Sequence, residues 1–247
     1  MLLRYLSVLG DAPLAYLMLV GAFVFSMLVG LTFHEFSHAY VANGLGDHTA
    51  ARRGRLSLNP MAHFDPVGST MILLIGFGWA KPVPVNPLNT ANPKRSMTLI
   101  ALAGPASNLV VAGLAAVPIK AGLVPFFHPF VSPSIAGFAA SVWAESPENL
   151  VGLFLGTVVL LNVLLAVFNF LPIAPLDGFN VTVGLLPGDL SRTFASYAAW
   201  GPGVLMLLIF LPFLSNGQFN PLFDVMGPVI DFLLGAFTGD AGSVQVV

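Results

Sequence analysis

Four long runs of the chain contain no charged side chain: Leu14 to Phe33, Met97 to Val117, Leu150 to Leu171 and Phe194 to Leu214. Each is close to the ~20 residues that cross ~30 Å of hydrocarbon, so four spanning helices are expected. The stretch Pro66 to Trp79 is also apolar but shorter, with glycines near both ends, and suits a re-entrant or interfacial segment. Between Ala121 and Asn149 the chain is apolar too, yet Pro125, Pro129 and Pro133 would remove helix donors where lipid supplies no substitute, which predicts an external loop. In "ARRGRLSLNP", Leu56 and Leu58 alternate with Arg55 and Ser57, so Arg53, Gly54, Arg55, Leu56, Ser57 and Leu58 are expected to form a short strand before Pro60. The predicted fold is an all-α polytopic membrane protein with a re-entrant or interfacial segment and a short cytoplasmic β element. It is one domain over 1–247: a first helix over 12–43, a loop over 44–96, spans over 97–120, 150–180 and 194–214, and a tail over 215–247.

Composition places the whole chain in lipid. Hydrophobic residues make up 56% and charged residues 8%, with a mean hydropathy of +0.87, against about a quarter charged in soluble domains. The formal charge of −2 offers no basic surface for nucleic acid, and the absence of cysteine excludes disulfides and thiolate metal sites. No small-residue cleavage site follows the first apolar run, which therefore reads as a retained helix. Arg52, Arg53, Arg55, Lys81, Lys94 and Arg95 lie between the first and second runs, and Arg192 between the third and fourth. The positive-inside rule puts both connections in the cytoplasm, so spans one and three run inward. Residues 215–247 read as an acidic external tail, with Asn220-Pro221 and Gly227-Pro228 as breaks.

At the inner end of the first span stands "HEFSH". On a helix, His34 and His38 share one face a turn apart and can grip one ion, while Glu35 lies beside it, where it can take a proton from bound water. Ionisable groups at membrane depth cost several kcal/mol and are functional by default. A catalytic zinc site takes three protein ligands and keeps one position open. The metzincin spacing fails, because Val41 and Gly44 stand where a glycine and a histidine are required. Asp47, His48, His63, Asp65 and Asp177 are candidates for the third ligand. Asp177 is the strongest, since the third span also runs inward and delivers it to the side of His34 and His38. Pro172, Pro175 and Gly178 there imply non-helical backbone at membrane depth, which is tolerated in a protein-lined or wet cavity. Ala103, Ser107, Ala112 and Ala116 give the second span a small face for close packing.

"HEFSH", "LAGPASN" (Leu102 to Asn108) and "NFLPIAPLDG" (Asn169 to Gly178), in this order on membrane helices, resemble the site-2 protease family of intramembrane zinc metalloproteases. "GRLSLNPMAHFDPVG" followed by "GWAKPVPVNP" resembles its small prokaryotic branch without a PDZ domain. Ala174 stands where that family often has a proline. The resemblance implies one Zn2+ held by His34, His38 and Asp177, Glu35 as catalytic base, Asn169 near the reacting peptide, and hydrolysis of a transmembrane protein substrate in a prokaryotic cell membrane.

A substrate helix must unwind before a carbonyl can reach the metal, and its freed backbone groups then need partners. The expected strand at 53–58 is one source, by edge pairing; Asn169 is another. His63 and Asp65 are candidates for support of the metal ligands. Two alternatives stand beside this reading. A metal-ion transporter would want a second set of intramembrane ligands or an inverted repeat, and neither is visible. An inactive peptide-binding relative would lack part of the motif, and none is missing.

Overall fold

The computed structural model describes residues 6–75 and 78–239, and the regular structure among them is helical. In chain order the helices are α1 (Leu6–Asp11), α2 (Pro13–Gly44), α3 (Thr49–Arg52), α4 (Pro60–His63), α5 (Pro66–Ile75), α6 (Pro93–Lys120), α7 (Ala136–Trp143), α8 (Pro147–Asn169), α9 (Asp177–Leu185), α10 (Gly188–Ser196), α11 (Gly201–Leu214) and α12 (Pro221–Thr238). Local chemistry starts the long ones. Proline occupies the first turn of α2, α6, α8 and α12, where its missing N–H costs nothing. The side chains of Asn92 and Ser146 accept from the amides of Arg95 and Asn149, capping α6 and α8.

The centre of the molecule is the mutual packing of α2, α6 and α8. Phe25 of α2 meets Phe154 of α8 with ring centroids 5.2 Å apart, and a Cβ on Gly30 would press on the Asn162 side chain, so these two helices run parallel. Helix α6 runs against both: His34 touches Asn108 while His38 touches Ile100. One apolar cluster joins α1, the start of α2, α7 and α8 around Leu19, Phe23, Trp143 and Leu153. A second joins α6, α8 and α12 around Ala112, Ala116, Val159, Val163, Met226 and Leu234, so two residues of the small face of α6, Ala112 and Ala116, are packed there.

Length and apolar composition alone would let five helical stretches cross a membrane: Pro13–Gly44, Pro93–Lys120, Pro147–Asn169, Gly188–Leu214 and Pro221–Thr238. The last corrects the expectation of an external tail. Pro221 starts α12 instead of breaking the chain, Pro228 is absorbed inside the helix, and Leu222, Met226, Ile230 and Leu234 are buried. Direction then constrains the fourth stretch. Lys120 Nζ donates to Ala236 O at 2.8 Å, so α12 ends where α6 ends and runs parallel to it. It therefore begins at the end of the bundle where α8 finished. Gly188–Leu214 leaves and rejoins that same end, and α11, at 14 residues, is too short to cross alone.

The shorter segments fold as follows, and one expectation among them is corrected. Helix α7, eight residues long, folds back on α1 and α2 within the loop expected to be external. Helix α5 has ten residues, and a Cβ on Gly68 would overlap the carbonyl of Trp79, so the chain returns beside its point of entry; Gly76 and Phe77 lie outside the described residues. The corrected expectation is the strand over Arg53, Gly54, Arg55, Leu56, Ser57 and Leu58, because no strand occurs among the described residues. Arg53 closes α3, Gly54 turns at φ 67°, and Arg55 is buried inward, so the alternation read from Leu56 and Leu58 never meets a partner.

Candidate metal centre

His34 and His38 lie one turn apart on α2, both buried, with ring centroids 4.7 Å apart and the rings edge to face. Asp177, the first residue of α9, brings Oδ2 to 3.0 Å from His34 Nε2 and 3.2 Å from His38 Nε2. The ligand atoms of the three residues lie within 4.8 Å of one another. Asp177 gets there because α8 stops at Asn169 and the chain folds back through short turns, Ile173 N to Leu171 O at 2.8 Å and Leu176 N to Ile173 O at 2.9 Å. Gly178 makes the fold-back possible, since a Cβ there would overlap the carbonyls of Phe170 and Leu171.

The other nitrogen of each imidazole is spoken for. His38 Nδ1 donates to Ile100 O at 2.6 Å, and His34 Nδ1 donates to Asn108 Oδ1 at 2.7 Å. Each Nε2 then presents a lone pair to Asp177 Oδ2, a buried atom with no hydrogen-bond partner. Three acceptors facing one another repel unless a cation lies among them. A divalent ion accepts all three lone pairs at once, and two nitrogens with one carboxylate oxygen form the donor set of a catalytic zinc site with its fourth position left open. Gly104 on α6 makes the space, because a Cβ there would overlap His38 Nε2 and His34 Cε1.

Glu35 is not part of this cluster of ligand atoms. Its Oε2 accepts from Val83 N at 3.0 Å, beneath an extended segment running from Trp79 to Asn86. Four bonds pin that segment: Lys81 N to His63 O at 2.9 Å, Arg55 to Lys81 O, Asn86 N to Asp47 Oδ2 at 2.6 Å, and Val83 to Glu35. Asp47 also accepts from the amide and hydroxyl of Thr49 and from Asn89 Nδ2. Burial raises its carboxyl, but the bonds from Thr49, Asn86 and Asn89 outweigh that and push it down to about 2. Arg55 is buried with its Nε unpaired; burial lowers its pKa from the usual guanidinium range and the Glu35 carboxylate opposes the shift.

The remaining expected residues bond elsewhere. His63 donates from Nε2 to Ser57 O at 2.8 Å and meets Arg55 through Nδ1 at 3.5 Å, which makes it a latch of the loop. Asp65 accepts from Gly68 N at 2.8 Å, at the start of α5. Asn169 turns its amide back to Leu165 O at 2.9 Å. His48 bonds Asn43, and Asp47 holds the loop. The sequence alone assigned no role to Gly104, Asn108, Asn162 or Val83. The first two stand in "LAGPASN", where glycine and asparagine four residues apart on one helix face were the available signal; Asn162 and Val83 carry none.

No family model and no solved structure matches the chain. Curated relatives do. The chain is 35% identical over 202 residues, 79% of its length and 83% of the relative's, to "Putative zinc metalloprotease YwhC" of Bacillus subtilis. It is 32% identical over 235 residues, 91% and 81% of the two chains, to "Putative zinc metalloprotease Rip2" of Mycolicibacterium smegmatis. The Rip2 protein of Mycobacterium tuberculosis is 30% identical over 224 residues, 87% and 78% of the two chains. With a buried His, His, Asp cluster behind an H-E-x-x-H helix and relatives of this kind over most of its length, the chain belongs to the site-2 protease family of zinc metalloproteases.

Proposed function

We propose that the protein is an intramembrane endopeptidase, hydrolysing peptide bonds within or near the transmembrane segments of membrane-protein substrates from the cytoplasmic side of a prokaryotic membrane. The observation that carries this reading is the convergence of His34, His38 and Asp177 inside an apolar helical bundle. Charge distribution supports the orientation: Asp177 lies at the end of the bundle shared with Arg95 and Lys94 of α6, since Lys94 reaches Leu186 O at the end of α9. Among the described residues there is one such cluster, which favours hydrolysis over passage of ions through successive sites.

His34, His38 and Asp177 would hold the zinc. Bound there, it supplies a Lewis acid and an acidified water. Glu35 is the general base and later the acid toward the leaving nitrogen. The Val83 amide keeps its carboxylate on the loop side, ready to turn toward the ligand cluster. Asn169, at the end of α8, supports the unwound peptide through its side chain. The apolar faces of α2, α6 and α8 exclude bulk water, which strengthens each of these electrostatic contacts.

Glu35→Gln tests the assignment. It should keep stoichiometric zinc and lose cleavage of a co-expressed single-span substrate by about 10²- to 10⁴-fold, the usual contribution of a positioned acid or base. Loss of zinc comparable to that of His34→Ala would make Glu35 a ligand and overturn its role as base.

A further inference from the structure

We propose that Asn162 is a positioning residue for the metal centre, acting through Asn108 to hold His34 in the tautomer that offers Nε2 to zinc. This rests on His34 being a ligand.

A side-chain amide can be turned end for end, exchanging its oxygen for its nitrogen, whereas a backbone carbonyl only accepts. Val158 O lies 2.9 Å from one end of the Asn162 amide, and that end must be Nδ2. The other end, Oδ1, is then an acceptor and takes a hydrogen bond from Asn108 Nδ2 at 3.1 Å. The same Nδ2 donates to Gly30 O at 3.0 Å, a second acceptor that cannot flip, so Asn162 and Gly30 together fix one orientation and commit both hydrogens of Asn108. What Asn108 turns toward His34 Nδ1, at 2.7 Å, is its oxygen. Nδ1 must carry the proton, and the lone pair is left on Nε2, facing Asp177.

Both asparagines are fully buried, so no water can take over either bond. Two amides at membrane depth are expensive unless hydrogen-bonded, and their survival among Ala, Val and Leu asks for a use. His38 supplies the contrast. Its Nδ1 donates directly to Ile100 O, a backbone group that cannot flip, and it needs no relay. Gly30 completes the device, since a Cβ there would press on Asn162 Oδ1 and Leu165. Three helices thus contribute to one proton position.

The test is zinc affinity of the purified full chain in detergent, by competition with a chelator, together with melting of the metal-free protein. Loss of such a partner of a ligating histidine weakens metal binding about 10- to 100-fold. Asn108→Leu should fall in that range and Asn162→Leu nearer its lower end, and the double variant should bind no more weakly than Asn108→Leu alone. If the two factors multiply, or if Asn162→Leu binds zinc as tightly as wild type, the relay is wrong. Should Asn162→Leu fail to fold, Asn162→Ser carries the same comparison. A second readout is the ¹⁵N shift of the ring nitrogens in metal-free protein: Asn108→Leu, which removes the acceptor, should mix the His34 tautomers and leave His38 unchanged, and an unmixed His34 would overturn the proposal. Zinc retained by His34→Ala or Asp177→Ala would instead sink the ligand reading itself, which separates the two failures.

Discussion

The crossing of α2, α6 and α8 and the loop that covers it are built on opposite terms. In the crossing, two helical histidines are held by Ile100 O and by the asparagine pair, with Gly30 and Gly104 giving up side chains to let the helices close. In the loop, residues 45–92, a few bonds from Asp47, Arg55 and His63 hold an extended segment against Glu35. The crossing is fixed by interdigitated side chains that cannot relax without opening the bundle. The loop is fixed by a few hydrogen bonds to buried side chains, those of Asp47 and Arg55 charge-assisted, which one substitution or a pH change can release. Metal binding and placement of Glu35, the proposed base, should therefore be separable, each breakable without the other.

The largest effect should come from the crossing. Gly104→Val puts side-chain atoms where His34 and His38 stand, and zinc content after dialysis should drop to background; a variant that keeps stoichiometric zinc would mean that α6 does not approach the ligands as described.

A smaller effect is expected in the loop. Asp47→Asn keeps the shape and removes the charge, so cleavage should fall roughly tenfold through misplacement of Glu35 while zinc content stays unchanged. Zinc loss in Asp47→Asn would join the two regions that the comparison separates.

The same carboxylate gives a pH dependence. Its folded pKa, about 2, lies below the ordinary 3.8, so its stabilisation of the loop is fully present above about pH 4 and is lost as pH falls toward 2. Limited proteolysis of residues 45–92 should accelerate between those values in wild type and show no such step in Asp47→Asn.

The smallest perturbation tests direction. In this cysteine-free chain, cysteines at Asp189 and Gln218 should be labelled by an impermeant reagent from the same side, and one at Ser134 from the opposite side. Labelling of Asp189 and Gln218 from opposite sides would make Gly188–Leu214 a true crossing and reverse α12.

Much of the centre was legible because its chemistry is local. His34, Glu35 and His38 lie within two turns of one helix, and the placement of Lys and Arg carried Asp177 to the same end without any contact being known. The helix over 221–238 was not legible, because Pro221, Pro228, Asp224 and Asp231 read as breaks and solvent. In the fold, proline sits harmlessly in the first turn, and the apolar face is completed by α6 and α8. The strand at 53–58 failed for the converse reason: alternation is visible in sequence, but a ladder needs a partner that the tertiary fold does not supply.

The sequence by itself determined the apolar character, the helical class, the H-E-x-x-H pattern and the arrival of Asp177 at the end of the bundle that holds His34 and His38, all of which follow from spacing and composition along the chain. Only the tertiary structure decided that Asn162, Asn108 and His34 form one hydrogen-bonded chain, that Val83 holds Glu35, and that α12 runs parallel to α6. Those are relations between residues tens of positions apart, and nothing in the local chemistry of either partner records the distance between them.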